Sequence, residues 1–301
     1  MNTENIPSKM NDKERQKGKK QSFLKELWRR LLKNKSAVVA LCIICVFISI
    51  ALTVTLWLPY ERAIMQNARQ RLLPPGTEGH IFGTDGYGRD MFARIMYGAR
   101  ISMFIGFVVA SFELVIGGCL GAVAAYYGKL TENIIMRIMD MLATIPHTLL
   151  ALCIVAALGA GMTNLLIALV ISDIPVMTRI VRSTMLSVVE MEYIEAARAC
   201  GTKDARIIWR HILPNGIGPI IVQATRAISS TILTAAGLSY IGLGVQPPTP
   251  EWGYMLSEGR ERMLLSPYLM IIPGVAIVIA ALSFEIFGDG LRDAMDPRLK
   301  D

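Results

Sequence analysis

Six long apolar stretches recur along this chain, at residues 37–58, 101–127, 134–158, 163–183, 216–243 and 268–288. About 20 apolar residues in helical form cross the hydrocarbon core of a bilayer. A chain that does so must pair its backbone polar groups internally, which a helix achieves by itself. The pattern therefore predicts an all-α membrane protein with about six transmembrane helices. Composition points the same way. The chain is 301 residues long, 53% hydrophobic and 18% charged, with a mean hydropathy of +0.45, which excludes a pair of ordinary soluble domains. The third and fourth stretches are the weakest, interrupted by Arg137, Asp140, His147, Asp173 and Arg179.

Charge sets the orientation. Six crossings put both termini on one side. With the N-terminus inside, the inner segments hold 21 Lys and Arg residues and the outer segments 7, an asymmetry that favours N-in and C-in. The net charge of +7 invites a nucleic-acid reading. Its excess is concentrated before residue 36, and neither zinc-finger spacing nor an aromatic basic sheet accompanies it. A positive cytoplasmic flank accounts for it, and no nucleic-acid partner is expected.

Residues 1–21 are lysine-rich and poor in apolar side chains, the composition of a disordered basic arm. Phe23, Leu24, Leu27, Trp28, Leu31 and Leu32 then recur at helical spacing among Lys25, Arg29, Arg30, Lys33 and Lys35. Such an elbow helix is suited to lie on the inner membrane surface, with its bases on anionic headgroups; the competing reading is a protein-binding helix. Segment 22–99 thus comprises elbow, first span and outer loop. Residues 100–290 form a five-helix core, and 291–301 an inner tail. Cys42 and Cys45 have metal-like spacing but no histidine partner, so they read as small apolar residues of a helix.

Between spans four and five lies a polar island, residues 192–214. Ala196 and Ala197 favour helix and would let a partner's backbone approach. Glu195 and Arg198, three apart, can share one face. Gly201 supplies the left-handed residue that stops a helix. Leu213-Pro214 suits the first turn of the next. The geometry is a protruding knob. The alternative is an ordinary inner loop.

A second cluster, Gly83-Thr84-Asp85-Gly86-Tyr87-Gly88-Arg89-Asp90, suggests a phosphate cradle, yet its spacing fits neither a Walker loop nor a dinucleotide turn. It reads better as a structured outer turn with Asp85, Arg89 and Asp90 as an internal ion-pair set.

The island, with Glu195-Ala196-Ala197, Gly201 and Leu213-Pro214, resembles the "EAA" loop of permease subunits in bacterial ABC importers. The run Phe82-Gly83-Thr84-Asp85 with Gly88-Arg89-Asp90, the run Leu238–Gly253, and the run Gly288–Pro297 resemble the second permease of the dipeptide, oligopeptide and nickel branch. This resemblance implies a type I importer permease fold with a cytoplasmic coupling helix. It also implies a homologous partner permease, two ABC ATPase subunits and an extracytoplasmic solute-binding protein, in a bacterial inner membrane. ATP and Mg would sit on the ATPases, so neither a cofactor nor catalytic residues are expected here. Glu195, Ala196, Ala197, Arg198, Gly201, Leu213 and Pro214 become candidate ATPase contacts. Short peptides are the expected substrates, with nickel or another small solute second. An ion-gradient carrier and a non-transporting scaffold are the rival classes. The chain departs from the family at Ala235, where members often carry Glu, and at His211, where an apolar residue is usual.

Polar residues inside spans are costly and should face protein or water. They are Glu113, Asp140, His147, Asp173, Arg226 and Glu285. Spacing favours an Arg137–Asp140 pair. Pro175 is expected to open the helix near Asp173. For His147 and Asp173, pathway lining and simple inter-helix bonding both remain open.

Overall fold

The computed structural model describes residues 25–295. The basic arm 1–21, and Phe23 and Leu24 of the elbow, lie outside the described residues. Residues 25–33 are helical (α1), and Asn34 separates them from α2 (Lys35–Trp57), its side chain accepting from the Ala37 N–H at 3.2 Å. Leu31 packs with Ala37 and Ala294, while Trp28 and Leu32 stay exposed. The elbow thus keeps an apolar outer face beside its bases. Cys42 and Cys45 sit on the exposed face of α2 and not in its packed side.

A lobe follows, holding the short helix α3 (Glu61–Ile64) and a single 3₁₀ turn, Ala68–Gln70. Helix α4 (Met91–Tyr127) has 37 residues, roughly 55 Å at the α-helical rise, against about 30 Å of hydrocarbon. It starts within the lobe, ten residues before the expected span, so the boundary placed at residue 100 cuts through one helix.

The third expected span, 134–158, is broken. Helices α5 (Lys129–Ala143) and α6 (His147–Leu158) meet at 80°. Pro146 explains the break, because it has no N–H to donate and keeps Ile145 out of helical backbone. Helix α7 (Met162–Val189), by contrast, continues through Pro175. The expected opening there reduces to one carbonyl, that of Ile171, deprived of its N–H partner.

Beyond the island come α11 (Ile217–Tyr240), α12 (Trp252–Arg260) and α13 (Tyr268–Met295). The island itself holds α8 (Glu192–Ala199), α9 (Asp204–Ile207) and α10 (Leu213–Asn215). Helix α13 runs across the boundary placed at residue 291. Among the described residues, four helices (α2, α4, α7 and α13) are long and apolar enough to cross a membrane, or five if α5 and α6 form one span. This is fewer than the six expected. The missing one is α11, whose Arg226, Ser229, Thr231 and Ser239 lower its hydropathy. It tolerates them because it is packed among α4, α7, α12 and α13.

With α5–α6 counted as one return passage between the parallel helices α4 and α7, the helices alternate in direction between a lobe end and an island end. One apolar cluster, with Ile44, Met103, Ile228, Trp252 and Phe284, joins α2, α4, α11, α12 and α13, and two others lie among the helices. One, with Val109, Ala151, Leu169 and Ala235, lies toward the lobe end. The other, with Ala122, Met177, Val181 and Ile212, lies toward the island end. Helices α4 and α7 cross so closely that a Cβ on Gly117 would lie 2.8 Å from Met177 Cβ, and one on Gly121 2.6 Å from the Thr178 carbonyl oxygen. Small residues at such spacing bring membrane helices into backbone contact.

Candidate functional site

Helix α8 ends as the sequence predicts. Gly201 has φ +70; its N–H donates to the Arg198 carbonyl at 2.9 Å, and the Thr202 N–H donates to the Ala197 carbonyl at 3.1 Å. These two bonds make the Schellman closure of a helix on a left-handed glycine. The chain then re-enters α9, passes through a π-turn at Ile208–Ile212, and reaches Pro214 in the first turn of α10. Pro214 has no N–H for the Arg210 carbonyl, while the Asn215 side-chain amide donates to the His211 carbonyl at 2.5 Å.

Apolar anchors hold the knob. Ile194, Ile207 and Ile212 are fully buried against Ala122, Ala125, Val181 and Met185 at the ends of α4 and α7. These isoleucines were not singled out from the sequence, although their helical spacing within a polar segment was visible. What remains outside is a continuous face with Tyr193, Glu195, Ala196, Arg198 and Trp209, the last 64% exposed. Glu195 and Arg198 do not pair. The Arg198 guanidinium stacks over the Tyr126 ring at 4.7 Å, and the Tyr126 hydroxyl donates to Asp204 Oδ1 at 2.7 Å. The end of α4 is thereby tied to both α8 and α9. Glu195 makes no hydrogen bond or ion pair among the described residues.

The Gly-Thr-Asp cluster is built inward. Asp85 Oδ1 accepts from the N–H groups of Tyr87 (2.8 Å) and Arg89 (3.0 Å), and Oδ2 from Arg89 Nε (2.6 Å) and Arg94 Nη1 (2.5 Å). Both guanidinium groups reach on to Glu258 at 2.6 Å. Burial works against the Arg89 charge, but Asp85 and Glu258 more than offset it and its pKa lies above the ordinary value. Of the expected set, Asp85 and Arg89 pair, and they are joined by two residues the sequence did not reveal, Arg94 and Glu258. Asp90 stands apart from it, 3.3 Å from Arg62 and 3.5 Å from His80. Gly88 (φ +77) lies where a Cβ would meet the Asn67 carbonyl oxygen at 1.9 Å. Thr84 Oγ1 donates to the Gln70 carbonyl and accepts from the Leu73 N–H, and the backbone of Gly83 lies against Leu73 and Pro74. The geometry is that of a folded clasp, with its polar groups turned to one another. Nearby, Glu251 caps α12, accepting from Gly253 and Tyr254 N–H; burial pushes its carboxyl above the usual range against those bonds.

Within the bundle, Asp140 pairs with Arg179 (2.8 Å) and not with Arg137, because the α5–α7 contact places Arg179 beside it. Arg226 pairs with Asp289 and, at 3.4 Å, with Glu285. Glu285 is therefore bound to a partner helix. Glu113 is buried on α4, and Asp173 is half-buried on α7. Pro175 is buried two residues beyond Asp173, whereas His147 is exposed at the start of α6.

An alternating helical bundle with an anchored knob at one end and a clasp at the other has a solved counterpart. The fold is similar to a chain of the MetNI methionine ABC transporter in an inward-facing conformation, with a TM-score of 0.55 and 20% identity, covering 68% of this chain and 98% of that one. The chain thus shares the fold of that transporter chain. The binding-protein-dependent transport system inner membrane component model matches residues 117–301, and the chain belongs to that family. The model of the N-terminal transmembrane domain of oligopeptide transport permease C matches residues 22–75. A dipeptide transport system permease protein of Alkalihalophilus pseudofirmus is 46% identical over 92% of this chain and 90% of its own length. A glutathione transport system permease protein of Pectobacterium atrosepticum is 42% identical over 92% and 91%. A peptide transport system permease protein of Brucella abortus, itself named as putative, is 40% identical over 90% and 91%. The chain is a multi-pass membrane permease subunit.

Proposed function

We propose that this chain is one permease of an ATP-driven importer of short peptides, and that the 192–214 knob receives force from ATPase subunits. The relatives' dipeptide, glutathione and peptide systems favour peptides over nickel. The observation that carries the coupling reading is the knob itself. Its isoleucines are buried in the bundle, while Glu195, Ala196 and Arg198 point outward and Glu195 has no partner of its own. In this reading six helices cross a bacterial inner membrane with both ends inside, α11 crossing under the cover of its neighbours and α5–α6 as a bent span. The partners are a homologous permease, two ATPases holding ATP and Mg, and an extracytoplasmic binding protein.

The knob performs no chemistry. The bundle has inward- and outward-facing states, and closed, ATP-bound ATPases favour one of them to the extent that they contact the knob differently in each. Leu213 and Pro214 complete the rigid re-entry into α11. Proteoliposomes containing the full complex provide the test. Glu195→Lys should abolish ATP-driven dipeptide uptake while the chain still inserts and assembles. Undiminished uptake with normal ATPase association contradicts the reading.

A further inference from the structure

We propose that Glu113 and Asp173 form a membrane-embedded site for a positively charged group, and that its ligand is the N-terminal ammonium of a peptide in transit. The site rests on the peptide-permease reading and adds to it a residue-level recognition element within this chain.

Along α4 and α7, an acidic residue falls between the lobe-end and island-end clusters on each helix. On α4, Val109 belongs to the lobe-end cluster and Ala122 to the island-end cluster, with Glu113 between. On α7, Leu169 and Met177 bracket Ser172 and Asp173. The helix register brings the acids together. Gly117 abuts Met177 and Gly121 abuts Val181, so the same pairing one turn nearer the lobe sets Glu113 against Asp173.

Glu113 is 2% exposed, and its Oε2 has no hydrogen-bond partner. The fully buried Thr178 hydroxyl, further along α7 beside Gly117 and Gly121, also lacks a partner. Uncompensated polar atoms at this depth are costly. Among the described residues no arginine is paired with them: Arg179 is bound to Asp140, and Arg226 to Asp289 and Glu285. His147 begins α6. It stands exposed just after the α5–α6 break, and Asp173 is itself partly exposed. An ammonium group carries three donors and a compact charge, which suits two carboxyl groups and neighbouring hydroxyls.

The test uses Glu113→Gln and Asp173→Asn, singly and together, in the complete complex with its binding protein. Amides match the shape of neutral acids, so a purely structural carboxyl is mimicked. Dialanine uptake should fall about tenfold in either variant, the loss of one favourable charge contact. Binding-protein-stimulated ATPase activity should stay within about twofold, and Asp173→Glu should retain uptake within about threefold. Wild-type uptake in the double amide variant overturns the site. Parallel loss of uptake and ATPase stimulation also overturns it, because that marks a structural or coupling role. A wild-type complex that transports no dialanine overturns the peptide reading, and this site with it.

Discussion

The clasp at residues 82–90 and the knob at residues 192–214 are both glycine-marked polar interruptions of an apolar chain, yet they are built inside out relative to one another. The clasp turns its charges inward. Arg89 and Arg94 are 2% and 1% exposed, and both are shared between Asp85 and Glu258. The knob turns its isoleucines inward and leaves Glu195, Ala196 and Arg198 outside. Charges satisfied internally hold a fold together, whereas a charge left outside on a rigid, anchored helix is available to another molecule. On the proposed reading, the same residue types mark a structural element at one end of the bundle and an interface at the other.

The comparison breaks first at the clasp. Asp85→Ala leaves two buried guanidinium groups with one carboxylate, and should destabilise the chain by about 3–5 kcal/mol. Thermal inactivation of the purified complex, or the amount of chain retained in membranes, would register this. A surface-like loss below about 0.5 kcal/mol would mean the network is solvated. The next largest effect is expected at the knob's anchors. Ile207→Ala removes a fully buried side chain and should cost about 2–4 kcal/mol. Faster proteolysis within the knob, with the clasp unchanged, is the expected signature. Gly201→Ala meets open space but keeps a φ of +70, so only backbone strain of about 1–2 kcal/mol is expected. Glu195→Gln should be the smallest in stability, within about 0.5 kcal/mol, and yet it should lower ATPase-coupled uptake. That dissociation of stability from coupling is what separates an interface from a clasp.

The knob was legible because a helix stop on Gly201 is local chemistry, readable from neighbours in the chain. The clasp was half legible. Asp85 and Arg89 are four apart, but Glu258 lies 164 residues from Arg94 and 169 from Arg89, and no local rule joins them. Asp140 illustrates the same limit, since spacing favoured Arg137 while helix packing supplied Arg179. The broken third span was written in Ile145-Pro146, but summed hydropathy across residues 134–158 masks a single proline. Helix α11 tolerates more polar residues than the other long helices because its neighbours shield it, which only the packing reveals. The opposition of Glu113 and Asp173 depends on the glycine register of α4 against α7, although each acid was visible alone as an expensive residue in a span.

The central claim, that the knob and not the clasp meets the ATPase, is tested most directly by site-specific cross-linking in the assembled complex. Two forms lacking the native cysteines would carry either Ala196→Cys on the knob or Glu78→Cys on the exposed lobe. The account predicts a covalent adduct with an ATPase subunit from position 196 and none from position 78. An ATPase adduct from position 78, or its absence from position 196 in a complex that still hydrolyses ATP, would contradict it.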